Sequence, residues 1–220
     1  MTAKTKEISK QQIISYYMNS CQENDVVPRS VFKFCSNLGI DDAQFYKHFG
    51  SLDILAKEVW LAFHDNTISA LEEDKQYQGY DRRSKLLAYY FSFFELITLN
   101  RSYVLFCLKR KQGVKALQSL SELSKLRNAF LKFTTALIEE GNEEKKFSFT
   151  KHNTRIFSEA AWAQFLFILK FNLEDDSPGF EKTDVAIEKS INTVFDVFDH
   201  TPLENVIDFG KFLAKELFAK

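Results

Sequence analysis

Apolar residues recur three and four positions apart through most of this chain, and the pattern is interrupted at only a few places. Ile13, Tyr16, Tyr17 and Cys21 share one face of a first helix over residues 7–24, which Asn24-Asp25 ends. Pro28 and Ser30 open a second helix with the stripe Val31, Phe34, Cys35 and Leu38, and Gly39 closes it. Asp41 stands at the N-cap of a short third helix. There Phe45 and Phe49 lie on one face and Asp42, Ala43, Gln44 and Lys47 mostly on the other. Ser51 caps a long fourth helix over Leu52, Leu55, Val59, Phe63, Ile68 and Leu71, ending near Asp74. Residues 75–79 read as a loop and a candidate domain boundary.

From Asp81 the pattern changes. Leu86-Leu87, Tyr89-Tyr90-Phe91 and Phe93-Phe94 put apolar groups all around one helix, which places it inside a bundle. A short helix over about 101–110 ends in the basic cluster Lys109-Arg110-Lys111. Leu117, Leu120, Leu123, Leu126, Phe130, Phe133 and Leu137 then step along another long helix, and the polar stretch 139–151, with Gly141-Asn142, reads as a loop. Residues 154–173 form an eighth helix and a loop spans Glu174 to Gly179. The ninth helix carries Ile187, Ile191, Val194, Phe195 and Phe198. Thr201-Pro202 breaks the chain before a last helix with Val206, Phe209, Leu213 and Leu217. No internal repeat interrupts this order.

Composition supports an all-α chain. Only 7 glycines and 3 prolines punctuate 220 residues, and 45% apolar content suffices for a sizeable core. The 23 phenylalanines fill such a core or line an apolar pocket. A net charge of −1 gives no bulk signature of nucleic-acid binding. No apolar run approaches the roughly 20 residues of a membrane span, so a cytoplasmic chain is expected. Cys21, Cys35 and Cys107 are widely spaced and form no Cys-x-x-Cys pair, which argues against a disulfide framework or a zinc site. His48, His64, His152 and His200 are scattered, and no phosphate loop or nucleophile elbow appears. The acidic clusters Glu72-Glu73-Asp74 and Glu174-Asp175-Asp176 read as solvated surface. No enzyme, metal or cofactor is expected.

The run Gly39 to Phe49 carries the most information. A tight glycine turn, a few exposed polar residues and an aromatic pair are what a helix-turn-helix needs. From Ile13 to Leu55, without a gap, the chain resembles the TetR family of one-component regulators. Gly39-Ile40 matches the family's turn, Phe45-Tyr46 its aromatic step, His48-Phe49 its end and Leu55 its apolar anchor. The resemblance implies an N-terminal helix-turn-helix domain over residues 1–50. It also implies a helical body over 51–220, connected through helix 51–74, that binds a small ligand. Dimerisation is implied through the two long helices at about 154–173 and 181–198.

Several positions depart from the family pattern. Asp25 stands where glycine is usual after the first helix, and the second helix opens with Pro28-Arg29-Ser30. Asp41 replaces a serine, Asp42 a residue often basic or small, and Leu52 a lysine that in the family reaches phosphate. Through residue 50 there are six basic residues against five acidic ones. Affinity for duplex DNA is dominated by phosphate neutralisation, so two carboxylates at the third helix's N-terminus oppose it. The candidate DNA contacts are Gln44 to adenine, Lys47 to guanine or phosphate, and Arg29, Lys33, Tyr46 and His48 to phosphates. Tyr46 and His48 equally suit completion of the small domain's core.

Two functions from different classes fit. One is a homodimeric regulator whose DNA binding is controlled by a small apolar or aromatic effector. Its candidate pocket walls are Phe91, Phe94, Phe106, Phe130, Phe133, Trp162 and Phe165, and its candidate dimer seam is Trp162, Leu166, Ile191 and Phe195. The other is a TetR-fold protein that has lost DNA binding and holds a lipid or isoprenoid, similar to the mitochondrial lipid-binding protein of coenzyme Q synthesis. The final stretch from Phe209, with Lys211, Lys215 and Lys220, is amphipathic and suits either a membrane surface or plain packing.

Overall fold

The computed structural model describes residues 7–108, 121–143 and 153–200, with side chains described through residue 196. The basic cluster 109–111, Leu117, Leu120, residues 144–152, the Phe198 side chain and the last expected helix lie outside the described residues.

Nine α-helices and no strand occur among the described residues. They are α1 (Lys10–Asn24), α2 (Val31–Leu38), α3 (Asp42–Tyr46), α4 (Leu52–Glu73), α5 (Arg82–Leu99), α6 (Arg101–Leu108), α7 (Ser124–Glu143), α8 (Thr154–Glu174) and α9 (Glu181–His200). Helix α1 starts later than its apolar pattern predicts because Ser9 and Gln12 form a capping box. Asp25 ends it at φ 53, the left-handed position where an aspartate is tolerated in place of glycine. Ser30 caps α2 by accepting from the Lys33 amide, and Gly39 closes it at φ 75. Ser51 accepts from the Ile54 amide to start α4.

Helices α1 to α3 close around one aromatic core. Phe34 packs against Tyr16, Tyr17 and Phe45, and Phe45 against Phe49. Ile13, Cys21 and Cys35 are buried with them, and all three cysteines are free thiols. Helix α4 then runs into the body, burying Leu55, Val59, Trp60 and Phe63. In the body α5 packs against α4, α6, α7 and α9. That central position is why both sides of it are apolar: Tyr89, Tyr90, Phe93 and Phe94 are all buried. Chain direction turns by 89° at Asn100 between α5 and α6. No single helix among the described residues is long and apolar enough to cross a membrane.

Two stretches differ from the expectations above. Residues 139–143 continue α7 rather than forming a loop. Gly141 is buried there, and a β-carbon on it would overlap the Arg82 guanidinium, so the glycine makes room for a side chain of α5. Asp175, expected as solvated surface, is buried. Its carboxylate accepts from the Ser177 amide and hydroxyl at 2.9 and 2.6 Å, and from the Thr183 amide and hydroxyl at 2.9 and 2.7 Å. Burial disfavours the charge, but these four donors outweigh it and hold the carboxyl down to about 2. Arg101 fixes the same turn. It donates to the carbonyls of Asn172, Leu173 and Asp175 and lies 4.2 Å from the Phe180 ring centre. Phe180 itself sits in the left-handed region at φ 60.

Candidate functional site

The DNA-reading candidates sit on a firmly closed small domain. Helix α3 buries Phe45 and leaves Ala43, Tyr46 and the following Lys47 and His48 exposed. Tyr46 is 55% exposed and packs edge-on against Phe45. Arg29 and Lys33 are exposed and Gln44 is half-buried. Two of the candidates also serve the fold. His48 Nε2 donates to the Ile8 carbonyl at 3.1 Å, tying the end of α3 to the segment before α1. Lys47 approaches Glu7 at 4.0 Å, an exposed pair of little energetic weight.

The two aspartates behave differently. Asp41 occupies the N-cap of α3, yet its side chain makes no capping hydrogen bond. Asp42 is half-buried and accepts from the Cys35 thiol of α2. Burial and this carboxylate push the Cys35 thiol up to about 11, so it stays protonated. One acid therefore faces the domain's interior and the other faces solvent.

The seven aromatic pocket candidates fall into three places. Phe94, Phe130, Trp162 and Phe165 form one packed cluster, with Trp162 stacked on Phe165 at 5.2 Å and Phe130 at 4.9 Å from Phe165. Phe133 stacks on Tyr89 at 4.7 Å, and Phe106 is half-buried against the same core. Phe91 is 38% exposed. Together with Phe94, Glu95, Phe180 and Asp184 it lines a depression of about 220 Å³ between α5 and the α8–α9 turn.

None of the seven lines an apolar cavity found among the described residues. That cavity, about 80 Å³, lies between α5, α7, α8 and α9. Leu86, Leu137, Ile138, Phe157, Val194 and Phe195 supply its walls, and Arg82, Thr134 and Gln164 are its polar residues. The seven candidates come from the central helices, and six of them pack into the core beside this gap.

The dimer-seam candidates differ in their burial within the chain. Trp162 is 7% exposed and Ile191 is fully buried within the single chain, so neither is presented to a partner. Leu166 and Phe195 are half-buried. Phe195 lies under Arg83, which also donates to Asp196 at 2.7 Å. What α8 turns outward is a different stripe: Ile156, Ala160, Ala163 and Phe167, with Phe167 59% exposed.

A buried carboxylate joins the small domain to the body. Glu58 of α4 pairs with Lys10 of α1 and with Lys125 of α7. Burial raises its pKa, but hydrogen bonds from both lysines lower it further, and the net shift is below the ordinary carboxylate value.

This arrangement, a three-helix domain with a helix-turn-helix joined by one long helix to a helical body, is that of a one-component transcriptional regulator. A family model of the tetracyclin repressor-like C-terminal domain matches residues 85–213. The chain belongs to the TetR family, a family of transcriptional regulators. Solved structures share the fold. A TetR-family transcriptional regulator from Syntrophomonas wolfei superposes with a TM-score of 0.62 at 16% identity, over 84% of this chain and 93% of that one. The fatty acid degradation regulator FadR from Bacillus halodurans gives a TM-score of 0.58 at 13% identity, over 81% and 92%. A TetR-family protein from Shewanella sp. PV-4 gives 0.54 at 16% identity, over 86% and 95%. At such identities these likenesses carry the fold alone. No curated protein sequence matches the chain significantly.

Proposed function

We propose that this protein is a cytoplasmic, homodimeric regulator that binds DNA through α3 and takes a small apolar effector in the cavity between α5, α7, α8 and α9. The observation that carries the reading is the construction of α3. Phe45 anchors it in a closed core, while Tyr46, Lys47 and the flanking Arg29 and Lys33 stay exposed for phosphates and base edges. Residues 1–50 act as the DNA-binding unit and 51–220 as the effector and dimer unit, with α4 as the connection. The dimer forms through Ile156, Ala160, Ala163 and Phe167 of α8, the apolar stripe left uncovered in one chain. Effector binding works only if it favours one of two arrangements of α4 and the body.

One observation favours the second reading, a TetR-fold binder of a lipid without DNA affinity. Asp41 places an exposed carboxylate at the N-terminus of α3, where a phosphate would otherwise be met.

Fluorescence anisotropy with the protein's own upstream DNA and a scrambled duplex, over several salt concentrations, separates the two. Selective binding that weakens with salt supports the regulator. No binding at low salt by an intact dimer rejects it and favours the lipid binder.

A further inference from the structure

We propose that the depression between α5 and the α8–α9 turn is a site for a small alkylated ammonium cation. It is a second site, separate from the effector cavity and independent of DNA binding. Leu86 of the cavity and Phe94 of the depression are about 12 Å apart along α5, at about 1.5 Å per residue.

The first observation is an idle aromatic ring. Phe93 and Phe94 of α5 are buried in contacts with other rings. Phe91 on the same helix is 38% exposed and stacks on no ring among the described residues. It borders the depression together with Phe94, one turn further along α5, and Phe180 of the α8–α9 turn. Aromatic rings beside an open depression attract cations through their quadrupole. The turn that carries Phe180 is already fastened by Asp175 and Arg101, so little ordering is needed on binding.

The second observation is charge without a counterion. Glu95 and Asp184 line the same depression, and both are exposed. Neither forms an ion pair with a described residue. No Lys, Arg or His is among the described lining residues, and Thr98, Asn172 and Thr183 are neutral. Arg101 lies over the Phe180 ring, but it donates to the carbonyls of Asn172, Leu173 and Asp175 rather than to either carboxylate. Burial, and then the charges of Asp175, Glu181 and Glu95, push the Asp184 carboxyl up from its ordinary value. A cation entering beside it relieves a repulsion that these neighbours leave uncompensated.

Together the rings and the carboxylates select the ligand. Two carboxylates are too few to cage a metal ion, and no group of three metal-ligating side chains occurs among the described residues. An unsubstituted ammonium is strongly hydrated, whereas an alkylated one brings apolar surface to the rings and a diffuse charge to the carboxylates. The volume, about 220 Å³, is below the roughly 300–1,000 Å³ of drug-sized sites, which suits a group the size of trimethylammonium. Free choline and a phosphatidylcholine surface both carry that group.

Calorimetric titration of the full-length protein with choline and with 3,3-dimethylbutanol, its uncharged carbon isostere, tests this. Choline should bind about tenfold or more tightly than the isostere. Phe91→Leu keeps the apolar bulk and removes the ring. It should weaken choline about two- to fivefold and leave the isostere unchanged. Glu95→Gln should weaken choline by a similar factor of about two to five, and less so at high salt. Both residues are exposed, so both variants should keep the wild-type melting temperature. Flotation with phosphatidylcholine vesicles distinguishes the sources. Retention that free choline displaces assigns the lipid headgroup, and choline binding without retention assigns a free cation. Equal affinity for choline and its isostere, choline binding that neither substitution weakens, or no choline binding in the millimolar range overturns the proposal.

Discussion

Lys10 at the start of α1 and Glu58 in the middle of α4 form an ion pair of 2.5 Å, and Lys125 of α7 closes on the same carboxylate. One buried charge thus ties the small N-terminal domain, the connecting helix and the body together. Removing it leaves Lys10 and Lys125, with side chains 48% and 33% exposed, without their shared partner. Glu58→Gln should cost about 2 kcal/mol in urea denaturation at neutral pH. The pH dependence has a definite sign. The carboxyl titrates below its ordinary 4.5 in the fold, so its stabilisation is complete above that value and fades as pH falls through the folded value. The gap between wild type and variant should narrow below pH 4.5 and stay level above it.

His64 Nδ1 lies 2.8 Å from the Tyr89 hydroxyl in the interior where α4 meets α5. Burial lowers its pKa from the ordinary 6.5, against a smaller opposing pull from Asp65. The fold therefore prefers neutral His64, while the unfolded chain takes up a proton below 6.5. Stability from this residue is complete above that pH and lost as pH drops toward the folded value. His64→Gln should lower stability by about 1 kcal/mol at pH 7. It should also flatten the decline in melting temperature just below pH 6.5. A variant that melts with the wild-type pH profile would assign the decline to another group.

Asp175 fastens the start of α9 to the end of α8 through its four donors. Asparagine has the same shape but turns one acceptor into a donor facing donors. Asp175→Asn should cost about 2–3 kcal/mol at neutral pH. With a folded value of about 2 against an ordinary 3.8, the stabilisation is present above 3.8 and disappears as pH falls through 2. Acid unfolding followed by near-ultraviolet circular dichroism should show the two proteins converging across that interval.

Phe167 and Phe195 lie on adjacent helices but face different ways. Phe167 is on the uncovered stripe of α8, and Phe195 packs beneath Arg83 against the cavity. If the proposed dimer forms through that stripe, Phe167→Arg should yield a folded monomer in sedimentation velocity. Phe195→Arg should lower the melting temperature and leave the mass of the remaining folded protein unchanged. The reverse pattern would return the seam to the inner faces of α8 and α9.

Local rules were legible wherever one residue decides. Ser30, Gly39 and Ser51 mark helix ends because a cap or a left-handed turn admits few residue types. Phe45 and Phe49 belong to the core because their spacing puts them on one face of a helix. Positions decided by a distant partner were not legible. Gly141 resembles a loop residue until Arg82, from another helix, is seen to need its space. Asp175 resembles surface until Thr183 folds back over it. Trp162 was placed in a seam by family analogy, but analogy cannot tell an inward stripe from an outward one when a helix such as α8 has both. The cavity was hidden for the same reason: it depends on how Phe157 and Phe195 pack across from Leu86 and Leu137, which come from other helices.

Asp41 and Asp42 are adjacent in sequence but should differ in their effect on DNA. Asp41 is exposed and makes no capping hydrogen bond, so its charge opposes an approaching phosphate and its side chain contributes no cap. Asp42 is turned toward the Cys35 thiol and half-buried, so its charge lies farther from the groove and its side chain holds α2 to α3. Charges at a helix terminus contribute about 0.3–1 kcal/mol each when exposed. Asp41→Ser should therefore tighten duplex binding about two- to fivefold at low salt. Its melting temperature should stay unchanged, and the gain should shrink as salt rises. Asp42→Asn should tighten binding less and melt lower. Equal gains from the two variants would mean that both carboxylates face the DNA. No gain from Asp41→Ser at any salt concentration would mean that α3 does not enter the groove by its N-terminus.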